Sequence, residues 1–146
     1  MKQTRRLPIS QRVFTSDDLV RIAQVLDEQP PPSKNENVDR EYEVKFRDDT
    51  GIASDSSEIF QEESLTSYGR PVAIRMTYRD YERGRHISVS LTHGYEYGNE
   101  ITVSGKDIPW VNANFLALKD RIERVRPQTS WILRHDRLLL HLIALG

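Results

Sequence analysis

Two stretches of the chain place apolar residues at the spacing of an amphipathic helix. In the first stretch the apolar stripe consists of Leu19, Ile22, Val25 and Leu26. Thr15 precedes it with Asp18 three positions later, which is the arrangement of a capping box with aspartate in place of the usual glutamate or glutamine. Pro30 follows the stripe and opens a run of prolines, which disfavour helical backbone. The pattern predicts a helix over residues 16–28.

The second helical stripe lies near the C-terminal end of the chain. Its apolar members are Val111, Phe115, Leu118, Ile122 and Val125. Asp107 suits the N-cap position in front of it, and Pro109 falls in the first turn, where its missing N–H costs nothing. Pro127 ends the pattern, so the sequence predicts a helix over residues 109–125.

Alternation of apolar and polar residues with a period of two marks the strands. They cover residues 42–46, 72–79, 87–92 and 101–103. A short polar loop over residues 80–84 joins the second of these to the third, which predicts a β-hairpin. A further stretch, residues 7–13, is a candidate short edge strand.

An acidic segment lies between the first and the second of these strands. From Asp48 to Gly69 it carries six acidic residues and no lysine or arginine. A few apolar residues could hold part of it against the core, and these are Ile52, Ile59, Phe60 and Leu65. Charge runs of this kind are usually solvated loops. We expect a loop that contains a short helix begun by Ser54 or Asp55, with a contact surface as the alternative role.

These elements predict an α+β fold with a single domain over residues 1–130. A mainly antiparallel sheet of four to five strands carries the two amphipathic helices on one face, because a sheet with one apolar face must bury that face against another layer. We expect the opposite face to be polar and solvated. Residues 131–146 form a basic and apolar C-terminal tail, either docked on the domain or close to a membrane.

Composition and motifs narrow the chemistry. The chain has no cysteine, which excludes disulfides, thiolate metal sites and cysteine nucleophiles. It has neither a Gly-x-Ser-x-Gly elbow, nor a phosphate-binding glycine loop, nor a His-Glu-x-x-His metal motif. Paired carboxylates for acid–base catalysis cannot be located from the pattern. We therefore expect no catalytic residue, no metal site and no cofactor.

The charge pattern of the predicted hairpin is more informative. If Ile74 and Met76 point into the core, the two-residue period turns Arg75 and Arg79 outward. The polar positions of the paired strand share that face, and they are His86, Ser88, Ser90 and Thr92. Arginine offers a planar fork of hydrogen-bond donors, so this face is a candidate site for a phosphate, a carboxylate or an acidic partner. The alternative is an ordinary solvated sheet face.

The loop that follows the hairpin supplies the other candidate binding residues. They are His93, Tyr95, Glu96 and Tyr97. Nucleic acid would need aromatic side chains that stack beside the arginines, and only the two tyrosines are candidates for that role. The formal net charge of -1 also gives the whole molecule little attraction for nucleic acid. We expect no nucleic-acid partner.

The C-terminal tail combines basic residues with an apolar run. Arg134 and Arg137 precede residues 138–145, which are leucine, isoleucine or alanine except for His141. Basic residues followed by an apolar run are typical of a cytoplasmic approach to a membrane, although this run is far shorter than the ~20 residues of a span. Three interpretations stay open, namely an element docked on the core, a contact between copies, and the start of a membrane segment. The third makes residues 134–146 a candidate contact with a membrane surface.

One stretch resembles the sequence of known proteins. Residues 103–111 are Val-Ser-Gly-Lys-Asp-Ile-Pro-Trp-Val. This is similar to the N-terminal soluble domain of uncharacterised bacterial proteins in which a Val-Ser-Gly-x-Asp-x-x-Trp-Val turn follows a strand and a basic helix leads towards apolar, membrane-like sequence. The resemblance spans residues 72–140. It implies a bacterial, membrane-associated protein and assigns no activity.

The sequence therefore predicts a non-enzymatic interaction or sensory module. We expect it in the bacterial cytoplasm, because neither a signal peptide nor a membrane-spanning run is found, with the cytoplasmic face of a membrane as the alternative place. The expected partner is another protein or a second copy of the chain. Two other functions stay open: a small ligand-binding or enzymatic domain with a pocket near residues 93–99, and a self-assembling domain that pairs through the tail.

Overall fold

The computed structural model describes residues 1–10, 12–30, 37–69, 71–92 and 99–127. Within them the strands are β1 (Gln3–Pro8), β2 (Arg12–Val13), β3 (Val38–Phe46), β4 (Gly51–Ser54), β5 (Pro71–Asp80), β6 (Arg85–Thr92), β7 (Glu100–Gly105) and β8 (Arg126–Pro127). The helices are α1 (Ser16–Asp27), α2 (Glu62–Tyr68) and α3 (Ile108–Glu123), with a 3-10 helix at Ser57–Phe60. The predicted α+β class is confirmed.

Six of the strands form one antiparallel sheet in the order β1-β7-β6-β5-β3-β4, while β2 and β8 form a separate two-stranded ribbon. The predicted hairpin is the pair β5 and β6, in register from Ala73 opposite Thr92 to Asp80 opposite Arg85. Gly84 closes its turn with a φ of 65°, a left-handed conformation that glycine adopts without steric strain. The sheet is antiparallel, as the alternation predicted.

The sheet is larger than predicted, with six strands in place of four to five. The unexpected strand is β4, which lies in the acidic segment and pairs with β3 so that Ile52 stands opposite Val44. Ile52 is partly buried against the core. A short strand with one large apolar residue gives too little alternation to be recognised in the sequence, because its partner strand defines it.

The first edge strand also differs from the prediction. It covers Gln3–Pro8 rather than residues 7–13. Arg5 occupies an inward position where the alternation rule looks for an apolar residue, and its guanidinium carbon lies 4.0 Å from the centre of the Phe115 ring. The guanidinium stacks on the ring, and the aliphatic part of the arginine side chain covers apolar surface. A charged residue therefore takes the place of a core residue at this position.

The first predicted helix, 16–28, is confirmed as α1 with a difference of one residue at its end. The capping box is present: the Thr15 hydroxyl oxygen accepts from the Asp18 backbone N–H at 3.2 Å, and the Asp18 carboxylate accepts from the Thr15 N–H at 3.0 Å. At the other end, the Arg40 guanidinium donates to the carbonyls of Leu26 and Asp27 at 3.3 and 3.1 Å. These bonds satisfy backbone groups that a helix terminus leaves unpaired.

The second predicted helix, 109–125, corresponds to α3. Asp107 caps it by accepting from the Trp110 backbone N–H at 3.2 Å, and Arg85 holds the same carboxylate at 2.9 Å. The Trp110 indole donates to the Gln29 side-chain carbonyl at 3.1 Å, and the Gln29 amide donates to Asn114 at 2.7 Å. The start of α3 is therefore bonded to Gln29, which lies two residues beyond the end of α1.

The acidic segment is more ordered than the expected loop. The 3-10 helix begins after the N-cap Ser56, whose hydroxyl accepts from a backbone N–H, rather than at Ser54 or Asp55. Phe60 and Leu65 are almost completely buried, which confirms that apolar residues of this segment join the core. The segment gains order from tertiary contacts, because such short helices are marginal on their own.

The hydrophobic core lies on one face of the six-stranded sheet. Inward side chains of the central strands are almost completely buried, and they include Tyr42, Val44, Ile74, Met76, Tyr78, Ile87 and Val89. On this side α1 packs against β5, and α3 packs against β7 and β1. On the opposite side Arg75 and Arg79 are exposed. The predicted division into a covered apolar face and a polar face is confirmed.

The C-terminal tail, residues 131–146, lies outside the described residues, so its docked, self-pairing and membrane-proximal interpretations stay predictions. Within the described residues, none of the helices has both the length and the apolar character needed to cross a membrane. At the last described residues β8 pairs with β2, and the Arg12 guanidinium donates to the Val125 carbonyl at 2.7 Å.

Candidate functional site

The polar side of the sheet forms a concave surface, which we call the outer face. It is lined by side chains that alternate with the core residues along β3, β5, β6 and β7, and its depression measures about 680 Å³. The lining side chains are Asp39, Glu41, Glu43, Arg75, Thr77, Arg79, His86, Ser88, Ser90 and Glu100. The two-residue period of a strand places them together, since every second side chain points to the same side.

Arg75 and Arg79 lie on the outer face, where the sequence placed them. In the strand register Arg75 stands between Glu43 and Ser90, and Arg79 stands between Asp39 and His86. Neither guanidinium forms an ion pair or a hydrogen bond with another described residue, although an acidic residue stands opposite each of them. The N–H groups of both guanidiniums are therefore available to solvent or to a ligand.

The strand beside the arginines supplies a pair of carboxyl groups. Glu41 and Glu43 point to the same side of β3, and a hydrogen bond to Glu43 raises the pKa of Glu41 above its ordinary value. The negative charge of Glu43 adds to this rise, and Arg75 opposes it. The pair therefore takes up a proton at a higher pH than a single separate glutamate would.

This pair was missed in the sequence analysis, although part of the signal was present. The two-residue period of the predicted strand over residues 42–46 turns Glu43 away from the side of Tyr42 and Val44. Glu41 shares the side of Glu43 because the strand begins earlier than predicted, at Val38.

His86 is the titratable group nearest to Arg79 across the hairpin. Burial lowers the pKa of His86, and the positive charges of Arg79 and Lys2 lower it further. Its Nε2 atom is buried and has no hydrogen-bond partner among the described residues. The imidazole is therefore held in its neutral form at neutral pH.

The outer face continues towards the end of the hairpin. A second depression of about 360 Å³ shares Glu43, Arg75 and Ser90 with the first and extends along β3 to β6 as far as Lys45 and Thr92. The two depressions form one surface, because the same three side chains line both. It reaches the strand end from which residues 93–98 depart.

Four predicted binding residues, His93, Tyr95, Glu96 and Tyr97, lie outside the described residues. The described residues on either side of them are bonded to each other, because the Thr92 backbone N–H donates to the side chain of Asn99. The Asn99 carbonyl in turn accepts from the backbone N–H of Ile9 at 2.8 Å. The pocket expected near residues 93–99 stays a prediction.

The described part of the outer face is equipped for binding polar groups. It combines guanidinium donors on β5 with the hydroxyl groups of Ser88 and Ser90 on β6. Across the described ranges, no group of three His, Asp or Glu residues is arranged to hold a metal ion. His86 forms no hydrogen bond with a serine hydroxyl of these ranges, so they hold no preassembled serine–histidine pair of the kind that activates a nucleophile.

Comparison with known proteins gives no relative. No family model matches the chain, and neither a curated protein nor a solved structure matches it significantly. The geometry of the outer face is therefore the basis for assigning a function.

Proposed function

We propose that this domain is a non-enzymatic interaction module that binds an acidic segment of a partner protein on its outer face. One observation carries the proposal. Arg75 and Arg79 are exposed, without an ion-pair partner among the described residues, on the sheet face that α1 and α3 leave open. Cytosolic location is part of the proposal, since a chain without cysteine has no disulfide that would favour an oxidising compartment.

The spacing of the two arginines suits an extended peptide. They are four residues apart on one straight strand, which separates their Cα atoms by roughly 13 Å. A peptide in extended conformation repeats its side chains at the same interval, so carboxylates four residues apart would reach both guanidinium groups. Thr77, which lies between the arginines on the same face, leaves room for the side chain in the middle.

The rest of the face indicates on which side of β5 the peptide lies. Asp39, Glu41 and Glu43 on β3 repel an acidic segment. Ser88 and Ser90 on β6 offer hydroxyl donors on the other side. An acidic peptide is therefore expected over β5 and β6, away from β3.

The test uses a short fluorescent peptide in which glutamate and serine alternate, with a glutamine–serine peptide as its control. Fluorescence anisotropy should show binding of the acidic peptide that weakens as salt is added, because exposed charges are screened. The double variant Arg75→Gln/Arg79→Gln should bind at least about tenfold more weakly, since each charge-assisted hydrogen bond contributes on the order of 1.5–3 kcal/mol.

A matched variant keeps this test specific. Arg21→Gln/Arg124→Gln removes two exposed guanidiniums from the helical side of the domain, where they pair with Asp18 and Asp120. It should bind the acidic peptide like the unchanged protein. Equal binding by the Arg75/Arg79 double variant, or no binding by the unchanged protein, would overturn the proposal. Circular dichroism confirms that both double variants are folded.

A further inference from the structure

One end of the outer face brings together two positive groups, a histidine and a serine hydroxyl. Arg79 on β5 stands opposite His86 on β6, and His86 stands opposite Ser104 on β7. Lys2 precedes β1, the strand that pairs with β7, and its charge acts on His86. We call Lys2, Arg79, His86 and Ser88 the basic corner. Alternation along the hairpin already placed Arg79, His86 and Ser88 on one face, and the strand order β1-β7-β6 adds Lys2, which is far away in the sequence.

The basic corner lacks a counter-ion within the described residues. The groups that shift the titration of His86 through charge are Arg79 and Lys2, both positive. Asp39 on β3 stands on the far side of Arg79 and forms no ion pair with it. Two fixed positive charges beside a histidine are unfavourable for one another, and an anion bound among them removes that cost.

The donors of the basic corner match a phosphate group better than a single carboxylate. Arg79 provides a planar fork, Lys2 provides an ammonium group and Ser88 provides a hydroxyl. A carboxylate has two oxygens and one negative charge, whereas a phosphate monoester has three terminal oxygens and a charge near −2 at neutral pH. The concave shape of the outer face at Arg79, His86 and Ser88 gives such a group contacts from more than one strand.

We propose that the basic corner binds a phosphate group through Arg79, Lys2, His86 and Ser88, and that His86 takes up a proton when the group binds. This inference rests on the proposed function, because it makes a phosphorylated residue part of the acidic segment that the outer face receives. The bound dianion offsets the charges of Arg79 and Lys2, so the imidazolium is less disfavoured than it is without the anion. A protonated His86 can then donate to a phosphate oxygen.

Proton uptake gives the binding a defined pH dependence. The charged groups that act on His86 are Arg79 from β5 and Lys2 before β1, and the hydroxyls of Ser88 and Ser104 lie beside it in the sheet. Affinity for a dianion should rise as the pH falls through the range in which His86 becomes protonated. Sulfate is the suitable probe for this effect, because it keeps both charges in the pH range where a phosphate monoester gains a proton, near pH 6.

The experiment follows the His86 ring by NMR during pH titrations in sulfate, in phosphate and in chloride at equal ionic strength. Sulfate and phosphate should raise the pKa of His86 relative to chloride, and the shift should saturate with anion concentration. Arg79→Gln should weaken sulfate binding by about tenfold or more. Arg21→Gln, which removes an exposed guanidinium from α1 on the helical side of the domain, is the matched control and should retain the shift.

One further variant and one further probe complete the test. His86→Asn should still bind sulfate but lose the rise in affinity at lower pH. A phosphoserine peptide that binds more tightly than free phosphate identifies a phosphorylated partner as the source of the group, and equal affinities identify a small free anion. An unchanged pKa of His86 in sulfate, or an Arg79→Gln variant that binds sulfate normally, would overturn the inference.

The two proposals fail in different ways. If the glutamate–serine peptide binds through Arg75 and Arg79 while sulfate leaves His86 unaffected, the phosphate inference is wrong and the interaction module stands. If sulfate binds at His86 while no acidic peptide binds, the basic corner is a small-anion site and the proposed function is wrong.

Discussion

Glu41 and Glu43 illustrate how two neighbouring side chains set the charge of the outer face. A hydrogen bond and the like charge of Glu43 raise the pKa of Glu41. A carboxyl group whose pKa is raised by folding binds a proton more readily in the folded state than in the unfolded state. Its contribution to stability is therefore present at low pH and is lost as the pH rises from the ordinary glutamate value through the raised pKa.

Glu43→Gln tests this description of the pair. The substitution should lower the pKa of Glu41, because the partner is then neutral and its amide donates to the carboxylate. The loss of stability with rising pH should also become smaller, because the pKa of Glu41 then rises less on folding. Carboxyl-carbon NMR gives the pKa, and urea unfolding at several pH values gives the stability. Glu100→Gln, on the same face but on β7, should change neither, and a Glu41 pKa that stays raised in Glu43→Gln would contradict the account.

The contact between α1 and α3 depends on a buried polar bridge rather than on apolar packing alone. Gln29 is 9% exposed, bonds Trp110 with its carbonyl and bonds Asn114 with its amide. Such a bridge is stabilising only when each polar atom has a partner, since an unsatisfied buried group costs about 1–3 kcal/mol.

Gln29→Leu should therefore destabilise the domain by about 1–3 kcal/mol, because it leaves the Trp110 indole N–H without its acceptor. Gln24→Leu is the matched control: Gln24 is exposed on α1, so its effect should stay within about 0.5 kcal/mol. Urea denaturation measures both, and the indole fluorescence reports on the environment of Trp110. Equal stability of the two variants would show that the bridge is not needed for the helix contact.

The helices were predictable because their boundaries are local. Thr15 with Asp18 starts α1, and Asp107 starts α3, and each cap is complete within a few residues of sequence. β4 was not predictable, because pairing with β3 defines it. The inward position of Arg5 in β1 likewise depends on the ring of Phe115, which is more than a hundred residues away.

The candidate site, like the fold, was predictable only where a local sequence pattern determines it. The outward direction of Arg75 and Arg79 follows from alternation along a single strand, and the structure agrees with it. The effect of Lys2 on His86 requires the order β1-β7-β6 in the sheet, which no local pattern contains. Local periodicity thus predicted the arginines, and only the sheet order shows what surrounds them.

The molecule as a whole has one core layer, so neighbouring residues of a central strand should differ strongly in their contribution to the stability of the fold. Met76 is completely buried, whereas Thr77, the next residue of β5, lies on the outer face. Met76→Ala should cost about 2–5 kcal/mol, because it leaves a cavity in the core. Thr77→Ala should stay within about 0.5 kcal/mol. Similar losses for the two variants, measured by urea unfolding, would mean that both faces of the sheet are buried.

The openness of the outer face is the central claim, and thiol reactivity tests it in the full chain, which has no cysteine of its own. Arg75→Cys places a single thiol on the outer face, and Met76→Cys places one in the core. With a thiol reagent at one pH, the thiol at position 75 should react nearly as fast as in the unfolded chain. The thiol at position 76 should react at least about 100-fold more slowly, because it becomes accessible only when the fold opens. Equally slow reaction at position 75 would contradict the account, since it would show that another part of the chain covers the outer face.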